Sequence, residues 1–156
     1  MRAMNTIDVQ RIDRIHPSPA KQQLQRWVDG ALCAYPKDAE IVIRIVDSGE
    51  SAALNTRYRG KSGPTNILSF PFTAPEGIEL DLLGDLVICA AVVESEAREQ
   101  GKNPQDHWAH IVIHGVLHLL GYDHVEEQDA EAMEAEEIAI LKSLNIANPY
   151  LEVIIP

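Results

Sequence analysis

Two histidines stand four residues apart in the stretch HGVLHLLGYDH, which runs from His114 to His124. Residues four apart on a helix lie on one face, so His114 and His118 would present their rings side by side. Gly121 suits a left-handed helix end, which would turn the chain back and bring His124 toward the same face. Three neutral imidazoles on a tetrahedral ion leave one position open, as in catalytic zinc sites. The spacing therefore predicts one zinc ion per chain, bound by His114, His118 and His124.

Histidines on a buried helix can instead be satisfied by hydrogen bonds alone. A single histidine would be interpreted in that way, but three at this spacing, with a glycine at the helix exit, favour metal binding. The same helix carries two earlier histidines, His107 and His110. Because they lie one or more turns back, we expect them to be too far from the ion to bind it and to be surface or supporting residues.

The residue after the first histidine decides between reaction classes. Zinc peptidases of the extended type carry H-E-x-x-H-x-x-G-x-x-H, in which the Glu is the general base for the attacking water. Gly115 stands at that position here, so the ligand spacing is kept and the peptidase base is absent. Asp123, next to the third histidine, and Asp85, after a predicted bulge at Gly84, are candidates to replace it. Both could equally be turn or capping residues.

The segment from Asn55 to Phe72 contains a cluster of cations. Arg57, Arg59 and Lys61 fall near the predicted end of a helix, where cations are favourable in any case. The functional interpretation is a phosphate-binding patch, because a guanidinium offers a permanently charged fork to phosphate oxygens. The local sequence leaves both interpretations open.

Composition limits the class of protein. The chain has 156 residues, which is enough for a hydrophobic core that does not depend on disulfides. This length predicts a single domain over 1–156. The formal net charge of −11 argues against nonspecific nucleic-acid binding over the whole surface, so any RNA contact must be local. Cys33 and Cys89 show no metal or redox spacing and are expected to be reduced core residues. No signal peptide or spanning segment is recognisable, which predicts a soluble, cytoplasmic protein.

The elements that must position these residues alternate along the chain. The hydrophobic pattern predicts four strands, at 6–12, 40–46, 66–72 and 83–89. It predicts five helices: one from an N-cap at Ser18 to about 35, one from 47 or 48 to about 58, and three at 90–100, 105–120 and 126–144. The last helix is strongly acidic. We expect most of its acidic residues to form a solvated face, with Glu137 on the side toward the protein body.

Three segments, HGVLHLLGYDH, LNTRYRGKSGPTNILSFPF and LLGDLVI, together resemble the YbeY family of bacterial endoribonucleases, also called ribosomal RNA maturation factors. The resemblance runs from about Ile41 to Glu134 and is weaker elsewhere. The absent Glu within peptidase-like spacing is itself a mark of the family. The resemblance implies an α+β fold: a single domain with a mixed four-stranded sheet, about five helices, and a zinc site at the C-terminal end of a core helix.

The same resemblance implies a set of roles. Zinc is placed on His114, His118 and His124, and Arg59 corresponds to a functional arginine. The implied activity is zinc-dependent, single-strand-specific cleavage of RNA, in 3′ end maturation of small-subunit (16S) ribosomal RNA and in ribosome quality control. The implied partners are that RNA, the small ribosomal subunit and assembly factors, with no DNA or membrane. Ile67 is a conservative departure from a position that is often Val, and the family does not settle which group is the base.

Two other functions remain compatible with the residues. One is a different zinc hydrolase, an amidase or a peptidase-like enzyme with a substituted base, against which the missing Glu weighs. The other is a noncatalytic, zinc-stabilised ribosome-assembly factor. The open fourth coordination position weighs against the second, although Asp85 could close it.

Overall fold

The computed structural model describes residues 4–122 and 127–150. Within them the predicted order of strands and helices and the α+β class are confirmed. The elements are β1 (Asn5–Arg11), α1 (Lys21–Ala31), β2 (Ala39–Val46), α2 (Ser48–Arg59), β3 (Ile67–Pro71), β4 (Leu82–Cys89), α3 (Ala90–Glu99), α4 (Pro104–Leu119) and α5 (Glu127–Ser143). No helix in these two ranges is long and apolar enough to cross a membrane.

The four strands form one mixed sheet in the order β1-β2-β4-β3. The pairs β1·β2 and β2·β4 are parallel, whereas β3 runs antiparallel to β4 at the edge. The central position of β2 follows from its composition, because Ile41, Ile43 and Ile45 are buried on one face and Val46 on the other, as suits a strand covered on both faces. Pro71 ends the edge strand, where its missing N–H costs no ladder hydrogen bond.

The helices divide between the two faces of the sheet. On one face α4 lies against β3 and β4, and α1 and α5 pack beside it to complete the main core. On the other face α2 covers a smaller cluster, in which Leu54 packs on Val46, Leu68 and Val87. The histidine helix is therefore the central helix of the main core.

Gly84 is the predicted bulge, and the register confirms it. Glu40 pairs with Leu82 and Ile41 pairs with Gly84, so one residue of β4 is skipped. Gly84 has φ 152°, and a Cβ there would collide with the carbonyl oxygen of Phe70 and lie 2.8 Å from Leu119 Cδ2. A glycine is required because both the backbone angle and the close approach of β3 exclude a side chain.

Two predictions about local structure are wrong. Ser18 does not cap α1: the N-cap is Ala20, without a side-chain hydrogen bond. The Ser18 hydroxyl instead accepts a hydrogen bond from Arg11 Nη1 at 2.5 Å, and Arg11 Nη2 donates to the Pro19 carbonyl at 2.8 Å, so the arginine at the end of β1 holds this segment outside the helix. Cys89 is buried as expected, but Cys33 follows the end of α1 and is exposed.

Candidate metal centre and cleft

Four histidines lie along one stripe of α4, as the spacing predicts. The helix starts at Asn103, whose side chain accepts hydrogen bonds from the backbone N–H groups of residues 105 and 106, and Pro104 occupies the first turn. Centroids of successive rings are 6.3 Å (His107 to His110), 6.2 Å (His110 to His114) and 4.6 Å (His114 to His118) apart. The rings approach most closely at the C-terminal end, where the metal ligands are predicted.

The exit from α4 has the predicted left-handed form. Gly121 has φ 100°, its N–H donates to the His118 carbonyl, and the N–H of Tyr122 donates to the Leu117 carbonyl. The chain therefore turns away from the helix axis where the third ligand requires it. Asp123 and His124 lie outside the described residues, so their roles as candidate base and third ligand stay predictions.

His114 and His118 bring their Nε2 atoms to 3.1 Å from each other. Two nitrogens bound at 2.0–2.1 Å to one tetrahedral zinc ion would lie about 3.4 Å apart. The pair therefore needs a movement of only a few tenths of an ångström to share an ion. Both rings are partly exposed rather than sealed in the core, so a metal and a substrate can reach them.

Glu137 on α5 forms a hydrogen bond with the other ring nitrogen of His114, Nδ1. Its side chain is fully buried, and its Oε1 lies 2.5 Å from His114 Nδ1, while Oε2 lies 2.7 Å from His110 Nε2 and also receives the Tyr150 hydroxyl. Burial acts to raise the pKa of Glu137, but these three hydrogen bonds outweigh it and lower the pKa to about 2. An ionised carboxylate can only accept, so His114 donates Nδ1–H and keeps the Nε2 lone pair for a metal.

The described residues contain two overlapping sets of possible metal donors. Donor atoms of His110, His114 and Glu137 all lie within 4.8 Å of one another, and the Nε2 atoms of His114 and His118 form the second set. The 2.5 and 2.7 Å contacts of Glu137 are hydrogen-bond lengths, shorter than two donors on one ion would adopt. These lengths favour the second set as ligands and Glu137 as the residue that orients His114. His110 belongs to the first set and not to the second, so the expectation that it does not bind the ion of His114 and His118 stays a prediction.

His107 is not a surface residue. It is 4% exposed, and its Nε2 lies 3.0 Å from Glu96 Oε1, which also accepts from Asn66 Nδ2 at 3.1 Å. Burial acts to raise the pKa of Glu96, but the hydrogen bonds from His107 and Asn66 outweigh it and lower the pKa. This cluster connects α3 and α4 to the residue before β3, so it stabilises the wall of the neighbouring cleft.

A cleft of about 540 Å³ opens beside the histidine pair. Its walls are α4 and the edge strand β3 together with the end of α2. Its lining residues are Tyr58, Arg59, Asn66, Ile67, Leu68, Ser69, Phe70, Pro71, His114 and His118. Arg59 is the last residue of α2 and is exposed, and Gly60 follows as a left-handed C-cap with φ 66°. The two described histidines and the predicted arginine thus face one space, although the sequence separates them by more than fifty residues.

Gly115 lies against the sheet, next to Ile67 and Ser69 of the cleft wall. A Cβ at this position would collide with Ile67 Cδ1 and lie 2.9 Å from Leu86 Cδ2, and the Ser69 hydroxyl donates to the Gly115 carbonyl at 3.3 Å. The absent peptidase base thus has a packing reason: α4 lies too close to β3 and β4 for any side chain. A Glu here would have to displace Ile67 and Leu86 before it could be accommodated.

Asp85 lies on the opposite face of the sheet from the histidines. Side chains alternate along a strand, and in β4 Gly84 and Leu86 face α4, whereas Val87 packs in the cluster under α2. Asp85 shares the face of Val87 and is not among the described residues that line the cleft. The structure therefore brings His114, His118 and Arg59 together and leaves Asp85 apart from them.

Comparison with known proteins agrees with this geometry. The family model described as Endoribonuclease YbeY matches residues 6–145. An Endoribonuclease YbeY from Methylococcus capsulatus (strain Bath) is 62% identical over 135 residues, which cover 86% of this chain and 89% of that protein. The solution structure of TM1509 from Thermotoga maritima superposes with a TM-score of 0.57 at 24% identity, covering 91% of this chain and 92% of that one. The structural likeness shows a shared fold.

Proposed function

Because the chain belongs to the YbeY family of endoribonucleases, we propose that it cleaves single-stranded RNA with one zinc ion held by His114, His118 and His124. Family membership shows that the protein is an endoribonuclease, a hydrolase of RNA phosphodiester bonds. The observation that supports the proposed zinc site is the pair of Nε2 atoms 3.1 Å apart beside the cleft.

Zinc fits the chemistry of this donor set. Neutral imidazole nitrogens are among the preferred ligands of zinc, and three protein ligands leave a position for water. When bound, the ion would supply a Lewis acid and a water molecule of lowered pKa next to the substrate phosphate. Glu137 contributes by fixing His114 in the tautomer in which Nδ1 carries the proton and Nε2 carries the lone pair that a metal needs.

Arg59 is proposed to bind the scissile phosphate. Its guanidinium belongs to the same cleft as His114 and His118, and it makes no ion pair with an acidic side chain in the described ranges 4–122 and 127–150. A guanidinium can hold two phosphate oxygens at once and stabilise charge that develops on them. The arginine would then both orient the phosphate and lower the barrier to its hydrolysis.

Two carboxylates, Asp123 and Asp85, are the candidates for the general base. Asp123 is adjacent in sequence to the proposed ligand His124, so it would be near the ion if His124 binds it. Asp85 would have to act across the sheet, since it shares a face with Val87 rather than with α4. Of the two candidates we therefore propose Asp123 for proton transfer.

The proposed substrate in the cell is the 3′ end of small-subunit (16S) ribosomal RNA, with a further role in ribosome quality control alongside the small subunit and assembly factors. Family membership supports this assignment. The acidic surface supports it indirectly, because a chain of net charge −11 will not bind nucleic acid everywhere. We expect binding to be confined to the cleft, which Arg59 lines, while Arg57 and Lys61 lie within two residues of Arg59 in the sequence.

Three nucleic acids of matched sequence and one protein test the proposal: single-stranded RNA from the 3′ end of the small-subunit RNA, its duplex, the corresponding DNA strand, and unstructured casein. Zinc-loaded protein should cut the first and leave the other three intact. Chelation should abolish the cleavage, and added zinc should restore it. Metal-dependent cutting of casein, or equal cutting of the duplex, would contradict the proposal.

A further inference from the structure

Tyr58 stands at the rim of the cleft with 56% of its surface exposed. Most large aromatic side chains of this protein are buried or half-buried, and an exposed ring in a cleft costs hydrophobic stabilisation that a core position would provide. Tyr58 directly precedes Arg59 on α2. Its ring therefore lies next to the position where a phosphate would bind.

Two neighbours hold this ring in place. The Phe70 ring from β3 meets it edge to face, with centroids 5.1 Å apart and planes at 73°. The Arg57 guanidinium lies over the ring, 5.3 Å from its centroid, a favourable cation–π distance. The ring is thus pre-oriented, and stacking a planar ligand on it costs little conformational entropy.

We propose that Tyr58 is a stacking platform for one unpaired base of the RNA, next to the nucleotide whose phosphate contacts Arg59. Aromatic rings that carry successive bases beside a basic groove are a common way to bind single strands. A base within a duplex is already stacked on both faces, so this platform would favour unpaired RNA. The inference rests on the proposed function for its substrate class and adds the residue that selects single strands.

Stacking and phosphate binding respond differently to salt. Tyr58 would provide the stacking, whereas Arg57 and Arg59 would provide the phosphate contacts. Affinity supplied by Arg57 and Arg59 should fall as salt rises, because phosphate contacts release counterions. The part supplied by Tyr58 should change little with salt, since it comes from ring overlap and apolar burial.

The experiment is an abasic scan of a fluorescently labelled, unstructured oligoribonucleotide of about 12 nucleotides. Binding to the full-length protein is measured by anisotropy in chelator, so that the RNA is not cut. For the unaltered protein, removal of the base at one position should weaken binding about 5- to 100-fold. For Tyr58→Leu, the intact oligonucleotide should already bind that weakly, and removal of the same base should have almost no further effect.

Two variants complete the test. Tyr58→Phe keeps the ring and should bind like the unaltered protein. Phe72→Leu removes another exposed aromatic, 40% exposed at the same edge but outside the cleft lining, and should leave the abasic pattern unchanged. The inference is overturned if removal of the same base weakens RNA binding by Tyr58→Leu as much as it weakens binding by the unaltered protein. That result would leave the proposed nuclease activity intact, whereas absence of RNA cutting by the zinc-loaded protein would refute the activity and not the platform.

Discussion

His114 Nδ1 lies 2.5 Å from Glu137 Oε1, a contact that joins the predicted ligand on α4 to the buried face of α5. The carboxylate fixes which imidazole nitrogen carries the proton, so the lone pair lies on the other nitrogen, Nε2, which is 3.1 Å from His118 Nε2. A carboxylate behind a metal-binding histidine also raises the basicity of the ligand. The acidic helix would therefore contribute to the proposed metal centre through a carboxylate that contacts His114 and not the ion.

Removing the Glu137 charge should weaken zinc binding. In Glu137→Gln, the amide NH2 would face a histidine N–H, so one hydrogen bond is lost and the tautomer of His114 is no longer fixed. We expect the affinity for zinc to fall about 10- to 100-fold, measured by competition with a chromophoric chelator. Glu136→Gln, an exposed neighbour on α5, is the matched control. Unchanged affinity in Glu137→Gln would show that the carboxylate has no part in metal binding.

Arg59 should be distinguishable from Arg57 by the step that each affects. If Arg59 stabilises charge on the phosphate, Arg59→Ala should lower turnover at saturating RNA by about 100-fold or more. Arg59→Lys should recover only part of that loss, because an ammonium lacks the planar fork. Arg57→Ala should mainly weaken binding and reduce its salt dependence. Zinc content, measured in every variant, should not change.

Full turnover in Arg59→Ala would contradict this role. The arginine would then be a cation that only stabilises the end of α2.

Gly115 should tolerate no side chain. Replacing a helix glycine by alanine gains about 1 kcal/mol from helix propensity, but overpacking against Ile67 and Leu86 costs about 1–3 kcal/mol. We expect Gly115→Ala to lower the free energy of unfolding by up to about 2 kcal/mol, and Gly115→Glu to lower it further without creating peptidase activity. Urea unfolding measures both. Gly49→Ala is the control, since a Cβ there meets only Asp47 Oδ1 at 3.4 Å; a stabilised Gly115→Ala would refute the packing argument.

Acid should destabilise the protein partly through Glu96. The folded pKa of this carboxyl lies below its ordinary value of 4.5, so its contribution to stability is present above pH 4.5 and is lost as the pH falls through the lower folded pKa. In Glu96→Gln, the loss of unfolding free energy between about pH 6 and pH 3 should be smaller than in the unaltered protein. Glu99→Gln, an exposed change on the same helix, should lose as much unfolding free energy over this pH range as the unaltered protein. If Glu96→Gln also loses as much as the unaltered protein, the role of Glu96 in acid destabilisation is contradicted.

The sequence predicts local features well where local chemistry determines them. The histidine stripe and the glycine exit of α4 follow from spacing and backbone preference, and the bulge at Gly84 follows from an isolated glycine in an apolar strand. The N-cap at Ser18 is wrong because Arg11, seven residues earlier, captures its hydroxyl. This competition depends on where β1 ends relative to α1, which the local pattern does not contain.

Contacts between distant segments could not be predicted in this way. Glu137 is 23 residues from His114, and its role becomes visible only when α5 docks on α4. The sequence contains one indication of this role, because Glu137 lies on the apolar side of α5, whose other acidic residues form a solvated face. The meeting of Arg59 with the histidines likewise depends on the edge position of β3, which brings the end of α2 to the side of α4.

Titration of zinc into metal-free protein, with single-turnover cleavage of an end-labelled single-stranded RNA at each step, tests the central claim most directly. The amplitude of cleavage should rise in proportion to added zinc and stop rising at one equivalent per chain. In His118→Ala, the amplitude should no longer level off at one equivalent. The result that would contradict the account is full cleavage by protein shown to contain no metal, or cleavage that does not depend on zinc occupancy.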